Sequence, residues 1–131
     1  MIGLDTNVLV RYIMQDDVKQ AAKATRLIES LSAESPGFIA LVSIIELVWV
    51  LGSCFDLNRV QISQALTILL RAKPLIVDRA EHVVRALRVF DAGKADFADC
   101  LIERIANAAG CTQVMTFDVA ASKTAGMSLI S

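Results

Sequence analysis

Five carboxylates stand at positions where an acid can cap a helix, meet a cation or serve catalysis: Asp5, Glu46, Asp96, Asp99 and Asp118. Asp5 closes the apolar opening "MIGL", and Asp118 closes "TQVMTF", so each follows directly on a candidate strand. Asp, and the Thr6-Asn7 pair that follows Asp5, are also ordinary helix N-cap residues, so capping and catalysis compete as explanations for both acids. Asp96 and Asp99 in "KADFADCLIERIANAAG" read equally as an N-cap and its third helical position. With Glu103 they form an acidic stripe at i, i+3 and i+7, opposite Phe97, Leu101, Ile102 and Ile105. Like charges at that spacing cost roughly 0.2–0.5 kcal/mol per pair unless a cation relieves them. Glu103, a turn farther along, is expected to be solvated.

Glu46 has no capping explanation. It is the only charged residue between Pro36 and Phe55, and no Lys or Arg lies between Arg26 and Arg59. A carboxylate buried in that setting needs a basic partner remote in sequence, a hydrogen-bond cage or a metal. The same apolar window is long enough to cross a bilayer, although Pro36-Gly37, Gly52-Ser53 and the central Glu count against a span.

The elements that must position these acids follow from apolar periodicity. An opening strand leads to a helix over Thr6–Met14, and a second helix covers Val18–Leu31. After the Ser35-Pro36-Gly37 turn, a brief strand runs into an apolar helix ending near Gly52, and Leu57–Arg71 is helical. Pro74–Val77 is a strand, Arg79–Phe90 a helix, and Asp96–Ala109 a helix closed by Gly110. "TQVMTF" is a strand, a helical turn follows Asp118, and Met127–Ile130 is a last strand. Strands alternating with helices predict a parallel sheet. Ligands of such sheets sit beyond the carboxyl ends of the strands, where Asp5 and Asp118 stand.

The chain of 131 residues, 55% hydrophobic, has room for one core and shows no linker or repeat, so a single domain over 1–131 is expected. Its positive mean hydropathy points to an apolar surface buried against a partner. Cys54, Cys100 and Cys111 form no metal or disulfide pattern, and His82, alone in a helix, is expected to be structural. Neither a Ser-His-Asp nor a Cys-His site can be assembled. The N-terminus carries no secretory pattern, so a cytoplasmic location is expected, with no membrane association. The net charge of −1 argues against nucleic acid as a partner, yet setting the five candidate acids aside leaves 13 basic residues against 9 acidic ones.

"GLDTNVLVR" at the start, Glu46 in the apolar helix, "DFADCLI" and "GCTQVMTFD" together resemble the PIN-domain ribonucleases, and more narrowly the VapC-type toxins of toxin–antitoxin pairs. The resemblance covers essentially the whole chain. It implies a three-layer α/β/α sandwich with a central parallel sheet of four to five strands. It also implies a quartet of Asp5, Glu46, Asp99 and Asp118 holding Mg2+ or Mn2+. Asp96 stays open as an outer acid, a cap or the inner ligand in place of Asp99. Thr6, Asn7 and Thr116 match small polar positions that orient the acids. The implied activity is metal-dependent endoribonucleolytic hydrolysis of RNA, leaving a 5′-phosphate and a 3′-hydroxyl. Magnesium keeps several of its waters in octahedral oxygen coordination, so a few carboxylates suffice, and the ion stabilises charge on the phosphoryl group as water attacks in line. Implied partners are the RNA, a cognate antitoxin protein and a second copy of the chain. Arg11, Arg79, Arg85 and Lys94 are candidates for contacts to phosphate, with Lys19, Lys23 and Arg88 behind them. Two other classes remain open. An aspartate-nucleophile phosphatase or phosphotransferase would act through Asp5, but it wants a second Asp where Asn7 stands. A non-catalytic PIN-like module would bind RNA or protein without cleaving.

Overall fold

A computed structural model describes residues 1–131. The chain divides into two compact units, Met1–Ala80 and Glu81–Ser131.

In the first unit, strand β1 (Ile2–Gly3), helix α1 (Thr6–Met14), helix α2 (Val18–Glu29), strand β2 (Gly37–Ile39), helix α3 (Leu41–Cys54), helix α4 (Arg59–Arg71) and strand β3 (Leu75–Val77) follow in order. The strands form a parallel sheet in the order β1-β2-β3, with Ile2 opposite Gly37 and Gly37 opposite Leu75. Ladder bonds run past the strand ends, from Leu4 N–H to the Phe38 carbonyl at 2.8 Å and from Asp78 N–H to the Ile39 carbonyl at 2.8 Å. The short strands are therefore held by more backbone than their lengths imply.

Local capping explains where the helices begin. Asp17 accepts from Gln20 N–H at 2.9 Å and starts α2 at Val18. Asn58 and Gln61 form a reciprocal capping box, which moves the start of α4 from the expected Leu57 to Arg59. Helix α3 has no side-chain cap of its own, and the Asp78 carboxylate at the end of β3 accepts from Leu41 N–H at 3.4 Å instead. Gly52 does not end α3; the helix runs on to Cys54. The core gathers Leu9 of α1, Ile39 of β2, Ile44, Leu47 and Leu51 of α3, and Leu66 and Leu69 of α4, all at 0% exposure.

At Gly37 a side chain would press on the ends of three leucines, which would have to shift: a Cβ would meet Leu31 Cδ1 at 2.8 Å, Leu4 Cδ1 at 3.0 Å and Leu75 Cδ2 at 3.1 Å. Gly37→Ala should therefore destabilise the fold by about 1–3 kcal/mol through overpacking, read as a lower urea midpoint at unchanged m.

In the second unit, helix α5 (Ala80–Ala92), which starts at the boundary, is followed by helix α6 (Phe97–Ala108), strand β4 (Met115–Thr116), helix α7 (Val119–Thr124) and strand β5 (Ser128–Leu129). β4 and β5 pair in parallel, Met115 with Ser128 and Thr116 with Leu129, so β4-α7-β5 is a small crossover unit. Gly110, at φ 95°, ends α6 in the left-handed region that favours glycine, as its place in the sequence predicts. Phe90 and Phe97 meet edge to face at 5.8 Å. On α6 the buried side is Phe97, Cys100 and Leu101, whereas Ile102, expected to face the core, is 52% exposed.

All strand pairings are parallel, and the expected strands are present, divided between a three-stranded and a two-stranded sheet. No helix is long and apolar enough to cross a membrane. The three cysteines are free.

Candidate active site

Asp5 leaves β1 and becomes the N-cap of α1, its Oδ1 accepting from Thr6 N–H at 2.7 Å. The Thr6 side chain is buried, and its hydroxyl donates to Glu46 Oε1 at 2.8 Å, joining the start of α1 to the middle of α3. Asp5 and Glu46 line one hollow of about 550 Å³ together with Thr6, Asn7, Arg11 and Asp16. Neither of the two ion pairs, Arg11–Asp16 at 3.0 Å and Arg104–Glu103 at 2.6 Å, neutralises Glu46.

The expected burial of Glu46 is not found. Its residue is exposed, on a face of α3 that also leaves Val42 and Trp49 exposed at 61% and 66%. These positions are four and three residues from Glu46, so they lie along the same side of the helix. The apolar run told how much of α3 is hydrophobic but not which face is covered. Glu46 consequently bears no burial penalty, and it is compensated by solvent and the Thr6 hydroxyl. Glu103, expected to be solvated, is half-buried and paired with Arg104.

In the second unit Asp96 is the N-cap of α6, its Oδ1 accepting from Asp99 N–H at 3.2 Å. Asp118 is the N-cap of α7, its Oδ1 accepting from Ala120 N–H at 2.8 Å and Ala121 N–H at 3.2 Å. Thr116 Oγ1 accepts from Asp118 N–H at 3.0 Å, which fixes the turn carrying the acid. In Asp5, Asp96 and Asp118 the cap is made through Oδ1. Capping and ligation are thus not rivals: the cap orients the carboxylate and leaves Oδ2 for another partner. Asp99, one turn into α6, is half-buried. Its burial, then the neighbouring Asp96 and Asp118 carboxylates, hold its carboxyl above the ordinary carboxylate range.

Within neither unit do three His, Cys, Asp or Glu side chains converge closely enough to hold an ion by themselves. The donor set consists of carboxylate oxygens and small hydroxyls, the chemistry that suits magnesium or manganese and not a soft metal. His82 is half-buried in α5 with Nδ1 lacking a hydrogen-bond partner. Of the four basic candidates, Arg11 lines the acidic hollow, while Arg79, Arg85 and Lys94 are exposed and do not. Asp16 and Phe55, which also line it, were not expected there. Asp16 arrives because Gln15 adopts φ 52°, a left-handed turn at a non-glycine residue that leaves little trace in a sequence.

In a parallel α/β fold ligands sit beyond the carboxyl ends of the strands, where Asp5 and Asp118 cap the helices that follow β1 and β4. The chain belongs to the PIN domain family, whose model matches residues 2–127, and its fold is the α/β class of that family. PIN domains are in general nucleases that use divalent metal ions. No curated protein matches the chain significantly.

Two outcomes follow from this geometry. Thr6→Val keeps the buried shape but removes the donor that holds Glu46; with Glu46 read as a ligand of the divalent ion that PIN domains use, it should weaken Mn2+ binding about 10–100-fold, read by calorimetric titration. Asp99→Asn should change stability with pH. Below the unfolded carboxyl's range, at about pH 3, both states carry the proton and the substitution should be neutral. As pH rises through the raised folded value, ionisation weakens the native chain, so at neutral pH Asp99→Asn should gain roughly 0.2–0.5 kcal/mol from the relieved Asp96 repulsion, read as a higher urea midpoint.

Proposed function

We propose that the protein is a magnesium- or manganese-dependent endoribonuclease in which Asp5, Glu46, Asp99 and Asp118 serve one hydrolytic reaction. The observation that carries this reading is the hollow shared by Asp5 and Glu46, joined by the Thr6 hydroxyl, in a chain of the PIN family. Asp5, Glu46, Asp99 and Asp118 would hold the cation, with Asp96 acting behind them as the cap that sets the first turn of α6. When bound, a divalent cation supplies the positive charge that offsets the phosphodiester and makes the attacking water more acidic. The chain's own part is positional. Backbone N–H groups aim Asp5 and Asp118 through their Oδ1 atoms, Thr6 aims Glu46, and Thr116 braces the turn before Asp118. Asp99 is half-buried and crowded by Asp96 and Asp118, a repulsion that a bound cation would offset. No side-chain nucleophile is required.

We take the biological role to be that of a VapC-type toxin in the cytoplasm, held by an antitoxin protein and paired as a homodimer. The exposed Val42, Trp49 and Phe117, the last at 80%, offer apolar surface for such partners.

The test is cleavage of single-stranded RNA by wild type and Asp5→Asn, with magnesium or manganese and with excess chelator. Cleavage that needs the metal and fails in Asp5→Asn is expected. Cleavage that ignores the chelator and survives the substitution, or a covalent phosphate on Asp5, would overturn the reading.

A further inference from the structure

A second hollow, of about 430 Å³, adjoins the acidic one along α1 and shares Asn7 and Arg11 with it. Its remaining lining includes Gln20, Lys23 and Leu27 of α2 and Val8 of α1. The two hollows differ in charge. Three carboxylates, Asp5, Asp16 and Glu46, face one guanidinium in the first, whereas Arg11 and Lys23 face no acid in the lining of the second.

Arg11 forms the wall between them. Its Nε donates to Gln20 Oε1 at 2.7 Å and its guanidinium pairs with Asp16 at 3.0 Å, so its position is fixed and its charge is already matched. Lys23 is exposed and takes part in neither of the molecule's ion pairs, which leaves its ammonium as the uncompensated charge of this groove. Val8 and Leu27 supply an apolar floor beneath that charge. A cationic rim over an apolar floor is how single-stranded nucleic acid is held: phosphate at the charge, a base or ribose face on the apolar surface.

We infer that the hollow between α1 and α2 is a substrate subsite, in which Lys23 binds a backbone phosphate of single-stranded RNA next to the nucleotide being cleaved. This rests on the nuclease reading above and adds to it the path of the strand, from the acidic hollow past Arg11 to Lys23. Without a cation, the acidic hollow repels a polyanion and the second hollow attracts one. Binding in chelator should therefore depend on Lys23, and Lys23 should act on substrate affinity, not on the chemical step.

The test measures the affinity of a fluorescein-labelled oligouridylate by anisotropy in chelator across a salt series, and cleavage kinetics in magnesium. Lys23→Gln is compared with Lys73→Gln, which removes an exposed lysine of the same unit outside both hollows. Lys23→Gln should weaken binding about fivefold at low salt and flatten the log–log salt slope by about 0.7, the value for one phosphate contact on a single strand. It should raise KM and leave kcat unchanged, with Lys73→Gln close to wild type in both. Equal affinity and slope for Lys23→Gln and wild type, or equal losses in the two lysine variants, would overturn the subsite. An oligonucleotide that wild type does not bind in chelator would overturn it too. Failure of the nuclease reading is seen separately, as wild type that leaves RNA intact in both magnesium and manganese.

Discussion

Glu46→Gln should lower RNA cleavage by about a thousandfold while leaving thermal unfolding within a degree or two of wild type. The two halves of that result come from different features. The carboxylate is exposed and belongs to no ion pair, so removing its charge disturbs no packing and breaks no salt bridge. Glutamine keeps a carbonyl oxygen that can still accept from the Thr6 hydroxyl, so the link between α1 and α3 survives. On the proposed function, what is lost is a negative oxygen ligand, and a thousandfold loss corresponds to about 4 kcal/mol of transition-state stabilisation, within the several kcal/mol that metal-ion catalysis supplies. Single-turnover cleavage alongside a melting curve reads both quantities. A drop in activity matched by a large drop in melting temperature would mean that Glu46 holds the fold together instead.

Phe97→Ala should do the reverse, costing roughly 3–5 kcal/mol of stability. Phe97 is 1% exposed, opens α6 and meets Phe90 edge to face at 5.8 Å. It stands between Asp96 and Asp99 in sequence, so the ring that fills the core also anchors the turn presenting both acids. For a domain whose total stability is about 5–15 kcal/mol, the loss is a large fraction, and activity should fall with the folded population. Denaturant titration measures it. A double-mutant cycle with Phe90→Ala should return a coupling of about 0.5–1.5 kcal/mol for the ring pair.

The positions that could be read in the sequence are those governed by local rules. Asp5-Thr6-Asn7 reads as a helix start because a cap is made with neighbouring backbone, and α1 begins at Thr6 as expected. Gly110 reads as a helix stop because only a few residues tolerate its φ of 95°. The start of α4 was misplaced at Leu57 although the Asn58–Gln61 capping box is also a local signal. The run of α3 beyond Gly52 was missed because a glycine inside a helix is a modest cost that tertiary packing overrides.

The candidate site was legible as residue types and much less as geometry. Thr6 matched a position that orients acids, but its bond to Glu46 spans 40 residues of sequence, which no periodicity encodes. Glu46 was expected to be buried because its neighbours in sequence are apolar, yet its neighbours on the helix face, Val42 and Trp49, are exposed with it. Three acids posed a choice between capping and chemistry, and the structure shows the capping, each through Oδ1. Asp16 gained its place from the left-handed turn at Gln15, and Lys23 from the packing of α2 on α1, a tertiary event.

The proposed function has Asp5 and Glu46 serve the same divalent ion as Asp99 and Asp118. Calorimetric titration of Mn2+ into wild type and into Asp5→Asn, Glu46→Gln, Asp99→Asn and Asp118→Asn tests it most directly. Each substitution is expected to weaken the same binding event by about tenfold or more. Undiminished Mn2+ affinity in Asp99→Asn and Asp118→Asn, beside its loss in Asp5→Asn, would contradict the claim.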